Sequence, residues 1–207
     1  MNRFCQLAMG LSVFAFTASA QVGPDVFFGV GTAQAPSSNS LIDTFNNGNP
    51  FTTPKLTGTF GKAGADIMIT PHFGIGGETD FRFSQGAYAG LKYRPTFYDF
   101  NAIWAPTVPF FKRVVPEFQA GLGGTNLKFY YSNAYCDAFT GCSSNNQYLE
   151  SSNHFQVHLS AGVRLYATKH IFIRPQVDAH WVNNFFQFGS NWVPEYGASL
   201  GWSFGAH

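Results

Sequence analysis

The sequence predicts an all-β fold, an up-and-down barrel of about eight antiparallel strands, and three observations lead to it. Hydrophobicity alternates with a period of two along most of the chain after residue 55, which is the pattern of strands with one apolar and one polar face. The alternating segments exceed the ~5–6 residues of an ordinary strand. Long polar connections also alternate with tight turns, as expected for consecutive hairpins.

The alternation is clearest in residues 73–84, 155–167 and 171–182. Applying the same criterion throughout predicts eight strands, at residues 25–33, 55–69, 73–84, 87–102, 114–131, 154–167, 171–183 and 193–204. These lengths match or exceed the ~9–11 residues that a tilted strand needs to cross a bilayer.

The connections support the same topology. Those near residues 34–54 and 132–153 are long and rich in Ser, Asn and Gly, whereas those at 70–72 and 168–170 are tight. Pro95 lies in the middle of a predicted strand, where its missing N–H indicates a bulge.

The N-terminus has the features of a secretory signal. Arg3 gives a short positive region, residues 7–16 are apolar, and Ala18-Ser19-Ala20 is a small-residue cleavage site. We therefore expect a signal peptide at residues 1–20, export from a bacterial cell, and one barrel domain at residues 21–207.

Two cysteines remain in the predicted mature chain, Cys136 and Cys142, within a polar stretch. In an oxidising compartment this spacing favours a disulfide that closes a small loop. A metal or redox pair is the alternative, but partner ligands are missing nearby.

The charges indicate which face of the barrel is polar. Charged residues make up only 11% of the chain, with 12 Lys+Arg and 11 Asp+Glu, against about a quarter in soluble domains. The sequence has no run of basic residues, so it gives no indication of nucleic-acid binding. Twelve charges, six of each sign, fall in the polar register, and we find none in the middle of the apolar face: Lys62, Asp66, Glu78, Asp80, Arg82, Lys92, Arg94, Glu117, Arg164, Arg174, Asp178 and Glu195.

A soluble lipocalin-like barrel would turn that polar face to water, but soluble surfaces are denser in charge. A sparse and balanced set suits a closed lumen in which opposite charges pair, because unpaired buried charges are costly. The apolar face would then contact lipid, so the sequence predicts a transmembrane barrel. A water-filled pore is the alternative use of the same lumen.

The last strand, Tyr196-Gly-Ala-Ser-Leu-Gly-Trp-Ser-Phe204, alternates apolar and small residues and ends on an aromatic side chain. Together with Val26-Phe-Phe-Gly-Val-Gly31 and the hairpin rhythm, it resembles the small outer-membrane β-barrels of the opacity-protein and outer-membrane-protein-A membrane-domain type. The resemblance implies an outer-membrane location in a Gram-negative bacterium, contact with outer-membrane lipids, and usually no enzymatic activity. It also implies an assembly signal that the outer-membrane assembly machinery recognises, at Tyr196, Leu200, Trp202 and Phe204.

One motif raises the alternative that the barrel is an enzyme. His158-Leu-Ser160 is similar to the His-x-Ser pair of outer-membrane lipid A deacylases, and a histidine beside a serine could activate its hydroxyl. Here the pair falls in the inward register, and Ala161 stands where that family has Asn. We therefore assign His158 to the luminal network, and we expect no catalytic residues, cofactor or metal site.

Three functions remain open. The first is a structural or surface-interaction role through the external loops, toward a surface ligand that the sequence does not name, with the lumen plugged by paired charges. The second is a porin-like narrow pore for small solutes, and the third and most remote is a lipid A-modifying enzyme. Fold alone does not decide among them.

Overall fold

The computed structural model of the chain describes residues 22–34, 41–43, 46–106, 113–137 and 141–205, without the side chains of 133–137, 141–144 and 186. The predicted signal peptide lies outside the described residues. No helix in the described part of the chain is long and apolar enough to cross a membrane.

Eight long strands form one sheet, and three short ones lie in the connections. The long strands are β1 Gly23–Ala33, β4 Thr59–Met68, β5 Phe73–Arg82, β7 Leu91–Trp104, β8 Val114–Asp137, β9 Gly141–Tyr166, β10 Ile171–Val182 and β11 Trp192–Ser203. The short strands are β2 Leu41–Ile42, β3 Phe51–Thr52 and β6 Gly86–Tyr88, and a 3₁₀ helix covers Phe186–Phe188.

The long strands close into a barrel. Each pairs antiparallel with the next along the chain, β1 pairs with both β4 and β11, and β5 pairs directly with β7. Closure leaves the barrel without an unpaired edge, which satisfies the backbone groups in hydrocarbon. The predicted eight-stranded antiparallel barrel is therefore confirmed.

The two ends of the barrel differ in their connections. Tight turns join β4 to β5 and β9 to β10, with backbone bonds such as Thr70 N to Phe73 O (3.0 Å). At the other end lie the 34–58 connection, where β2 pairs with β3, and the segment 183–191. In outer-membrane barrels the end with the longer connections faces outside, and we call it the outer end.

The longest connection differs from the prediction. Residues 132–153 were expected to form a loop, but β8 and β9 stay paired as far as Asp137 and Gly141, with a register shift between Phe129 and Tyr130. Beyond the last β7 partner, residues 131–137 and 141–147 form a two-stranded extension that we call the ribbon. Seven residues at ~3.4 Å each make it project by about 24 Å.

Pro95 shows no bulge, and the expectation of one was wrong. The pairing of β7 with β8 runs without a break from Lys92 to Trp104. On its other side, β7 pairs with β5 through residues 96–104 and with β6 through residues 91–93. Pro95 therefore lies where the neighbouring strand changes, and such an interruption tolerates a residue without a backbone N–H.

The outer surface of the barrel is apolar. Alternate residues project outward as large hydrophobic side chains, including Phe28 (68% exposed), Phe100 (76%) and Leu200 (59%). Such a large continuous apolar surface is unsuited to water and suited to lipid. The soluble lipocalin-like alternative, with its polar face outward, is excluded.

Candidate functional site

The lumen holds a layer of charged and polar side chains at mid-height. All eight long strands contribute to it, because every second residue of a strand points inward. Its acids are fully or almost fully buried, and so are its cations: Asp25, Asp66, Glu78, Asp80, Asp99, Glu117, Asp178, Glu195, Lys62, Arg164 and Arg174.

Lys62 is the centre of one part of this layer. Its ammonium lies 2.9 Å from carboxylate oxygens of Glu78 and Asp80 on β5. It lies 3.0 Å from Asp178 on β10 and 2.9 Å from Glu195 on β11. One cation therefore links β4 to strands on either side of it.

Arg164 and Arg174 form the second part. Arg174 contacts Asp66 at 2.9 Å, Glu78 at 2.8 Å and Glu117 at 3.1 Å. Arg164 contacts Asp66 at 2.7 Å and also pairs with Glu117 and with Asp25. The Arg174 guanidinium lies 3.8 Å from the centre of the Phe27 ring, a distance that suits a cation–π contact.

Two stacked histidines connect these ion pairs to the amide groups of the lumen. His158 and His180 have ring centres 4.8 Å apart. Nδ1 of His158 donates to Asn101 Oδ1 (2.9 Å) and Nε2 to Asp178 Oδ1 (3.3 Å). Both ring nitrogens face acceptors, an arrangement that an imidazolium satisfies.

Two groups of side chains have the donor types and spacing of a metal site. Asp99, His158 and His180 form one, and Asp80, His180 and Glu195 the other, with ligand atoms within 4.8 Å of one another. However, the Lys62 ammonium already lies 2.9 Å from both Asp80 and Glu195, and both nitrogens of His158 are engaged. These donors suit ion pairing better than a metal, and the absence of a metal site stays a prediction.

Apolar side chains lie in the lumen on either side of the charged layer. Toward the outer end they form one cluster with the segment after β10: Ala33, Leu56, Phe60, Tyr88, Tyr93, Phe97, Leu127, Val182, Phe185, Phe188 and Val193. Toward the other end Met68, Ile103, Ala105 and Val115 form a second. The charged layer is thus enclosed between two apolar layers.

Arg82 lies in the outer apolar layer and has a different role from the one expected. The sequence predicted that Arg82 is one of the luminal charges that pair with opposite charges, but among the described residues Arg82 contacts no carboxylate, and Lys62 contacts Glu78 and Asp80. Arg82 instead donates to the carbonyl oxygen of Thr57 (2.7 Å) and to the Tyr93 hydroxyl (3.3 Å). It holds the 34–58 connection against the barrel mouth.

Two of the predicted luminal charges lie outside the lumen. Lys92 and Arg94 project from the outer face of β7, because the inward residues of this strand are Tyr93, Phe97 and Asp99. The other predicted luminal charges are buried in the barrel: Lys62, Asp66, Glu78, Asp80, Arg82, Glu117, Arg164, Arg174, Asp178 and Glu195.

Sequence reasoning missed two acids of the layer, Asp25 and Asp99. In the register assumed for β7, Asp99 would have faced lipid. The signal that could have located it is the run Tyr98, Phe100 and Trp104, whose even spacing marks the outward face. With both acids included, the buried charges are not balanced, because acids outnumber Lys62, Arg82, Arg164 and Arg174.

The remaining predicted sites have clear positions. Tyr196, Leu200, Trp202 and Phe204 all project outward from the last strand. The register places Cys136 directly opposite Cys142 at the end of the ribbon; their side chains are outside the described ones, so the disulfide stays a prediction. His158 and Ser160 are both buried in the lumen, away from the lipid face.

A closed barrel with an apolar outer wall and ion pairs inside is the architecture of outer-membrane proteins. The family model of the outer membrane protein beta-barrel domain matches residues 4–204. The chain belongs to this family. Its location is the outer membrane, as the resemblance implied.

Solved structures of other members of this architecture share the fold of the outer-membrane barrel. Neisserial surface protein A is 15% identical with a TM-score of 0.57, covering 89% of this chain and 99% of its own. The outer membrane protein OprG from Pseudomonas aeruginosa is 11% identical with a TM-score of 0.56, covering 91% and 99%. No curated protein matches the sequence significantly.

Proposed function

We propose that this outer-membrane barrel acts as a surface-interaction protein, with a lumen that does not conduct and a ribbon that makes the external contacts. The observation that carries the proposal is the ribbon itself. It continues two strands of the barrel beyond the last barrel pairing, so a rigid scaffold holds it away from the membrane surface.

The surface of the ribbon base supports a contact role. Tyr131, Tyr148 and Leu149 are about half exposed, and Tyr130 packs edge-on against Tyr148 with ring centres 6.1 Å apart. Rigid tyrosines among Ser and Asn residues give large contact area at a small cost in conformational entropy.

The lumen disfavours the narrow-pore alternative. Ion pairs cross the charged layer, and the described side chains above and below it are mostly apolar. Arg82 and the Tyr93 hydroxyl, at the outer end, are engaged with each other and with the 34–58 connection. Small eight-stranded barrels have interiors that side chains can fill. The Phe185 and Phe188 rings, stacked at 4.3 Å, add to the apolar layer at the outer end.

The buried chemistry also supports a non-catalytic role. His158 is held by Asn101 and Asp178, so it is not free to activate Ser160. A lipid substrate on the outer wall would not reach either side chain.

The experiment compares intact cells that display the wild-type chain with cells that display Tyr131→Ser/Tyr148→Ser. Retention is measured on arrays of immobilised neutral glycans and of proteins. We expect the double variant to lose retention on the surfaces that hold the wild type. Leu122→Val, on the lipid-facing wall, is the matched control. Equal retention of the double variant, or no retention of the wild type on any surface, would contradict the contact role.

A further inference from the structure

We propose that Lys92, Arg94 and Lys128 form a binding site for the phosphate groups of lipid headgroups, on the outside of the barrel wall at its outer end. The proposal rests on the outer-membrane location and not on the contact role of the ribbon.

The three cations share one face of two neighbouring strands. Arg94 on β7 is directly opposite Lys128 on β8, and Lys92 is two residues along from Arg94. Lys128 is exposed, and Lys92 and Arg94 are partly exposed. Like charges directly opposite each other destabilise a strand pair, so this arrangement favours an anion between them.

No carboxylate among the described residues is in register to neutralise these cations. Glu150 is the nearest along β9, but it pairs with Phe129, whereas Lys128 points to the opposite face of β8. Glu150 and Phe129 line a separate cleft with Leu149. The other acids on the long strands whose side chains are described face the lumen, so none of these residues supplies the counter-charge on the wall.

The cations keep donors available for such an anion. Arg94 donates to the Phe83 carbonyl oxygen at 3.2 Å through one terminal guanidinium nitrogen, which leaves the donors of the other terminal nitrogen for an anion. Lys92 donates to Asn146 Oδ1 at 3.1 Å, which leaves two of its ammonium hydrogens. Guanidinium and ammonium groups together are the usual ligands of phosphate.

The position of the site identifies lipid as the source of the phosphate. On the same face of β7, toward the membrane, lie Tyr98 (41% exposed) and then Phe100 (76% exposed). Phe81 and Phe83 flank Arg94 on the neighbouring strand end, in edge-on contact at 5.4 Å. Aromatic rings mark the headgroup level of a bilayer, so the cations are at the height of lipid phosphates.

The test uses the protein refolded into vesicles of phosphatidylcholine alone or phosphatidylcholine with lipid A, and measures the urea concentration at half-unfolding. We expect lipid A to shift the wild-type midpoint upward, and added salt to reduce that shift. The triple variant Lys92→Gln/Arg94→Gln/Lys128→Gln should lose the shift. Lys55→Gln, an exposed cation of the 34–58 connection on the same side of the membrane, should keep it.

Three results would overturn the proposal. The wild-type midpoint does not respond to lipid A; the triple variant responds as the wild type does; or inorganic phosphate with phosphatidylcholine alone reproduces the shift, which would make free phosphate the ligand. Heat-dependent gel migration in phosphatidylcholine checks that each variant is folded. If the triple variant fails that check, Arg94→Gln alone is compared with Arg94→Lys, and only the lysine should retain most of the shift.

Discussion

Arg174 contacts carboxylates from three other strands, Asp66, Glu78 and Glu117, and is buried in the lumen. Replacing it with Met would leave these acids with fewer cations in a layer that already holds more acids than bases. Breaking a buried ion pair by removing one partner costs about 3–5 kcal/mol. We therefore expect Arg174→Met to lower the free energy of unfolding by this amount, measured by urea titration in detergent micelles.

The control for this change is Lys55→Met. The Lys55 side chain is exposed, and surface substitutions change stability by less than about 0.5 kcal/mol. If Arg174→Met cost no more than the control, the charged layer would contribute little to the stability of the barrel.

Gly201 lies so close to the Phe172 ring that no side chain fits at this position. A Cβ added there would lie 2.1 Å from the Phe172 ring, and Phe172 is itself buried beside Arg164. We expect Gly201→Val to prevent formation of the compact barrel. Gly77→Ala should fold normally, because a Cβ at Gly77 meets its nearest atom at 3.5 Å. The fraction that migrates as the compact form on unheated gels measures both, and normal folding of Gly201→Val would refute the packing described for this strand.

The behaviour of β7 explains how much of the lumen could be predicted from the sequence. Where inward residues are charged, as Arg164 and Arg174 are, the period-two pattern identified the luminal face. In the outer half of β7 the inward residues are Tyr93, Pro95 and Phe97, and the outward ones are Lys92 and Arg94. Polarity is reversed there, because the lumen is apolar at that height and the wall is at headgroup level. An assignment that equates polar with luminal therefore fails on this segment.

The ribbon shows a second limit of the same reasoning. Its strands are rich in Ser and Asn, which are typical of loops. In the described part of this region residues 145–150 are all exposed, so no alternation of burial appears there, although the backbone pairing continues. Barrel strands were predictable because lipid and lumen impose opposite demands on alternate residues, and residues 145–150 are under no such demand.

The register at the end of the ribbon leads to a testable prediction. Cys136 and Cys142 are directly opposite each other across β8 and β9, and cross-strand partners bring their Cβ atoms to about 4.5–5.5 Å. We expect protein purified from the outer membrane to carry this disulfide. Without reductant, neither cysteine should be labelled by the alkylating reagent, and after reduction both should be labelled, as measured by mass spectrometry. Labelling of both without reductant would contradict the prediction.

The whole molecule is a barrel with lipid-facing side chains outside and two apolar layers enclosing a charged layer inside. Its closed ladder of hydrogen bonds resists unfolding in detergent. We expect the protein in outer-membrane fractions to migrate on gels as a compact form until it is heated. Migration that heating does not alter would be inconsistent with a closed barrel.

The central claim is that this barrel acts through its exterior and not as a channel. Purified protein inserted into planar lipid bilayers tests it most directly, with detergent-only additions as the control. The account predicts no steady conductance above the control, because the proposed function takes the lumen to be plugged by the paired charges and the apolar layers. A uniform, steady conductance that appears with each insertion, and that changes its ion selectivity in Arg174→Met, would contradict it and make the narrow pore the function.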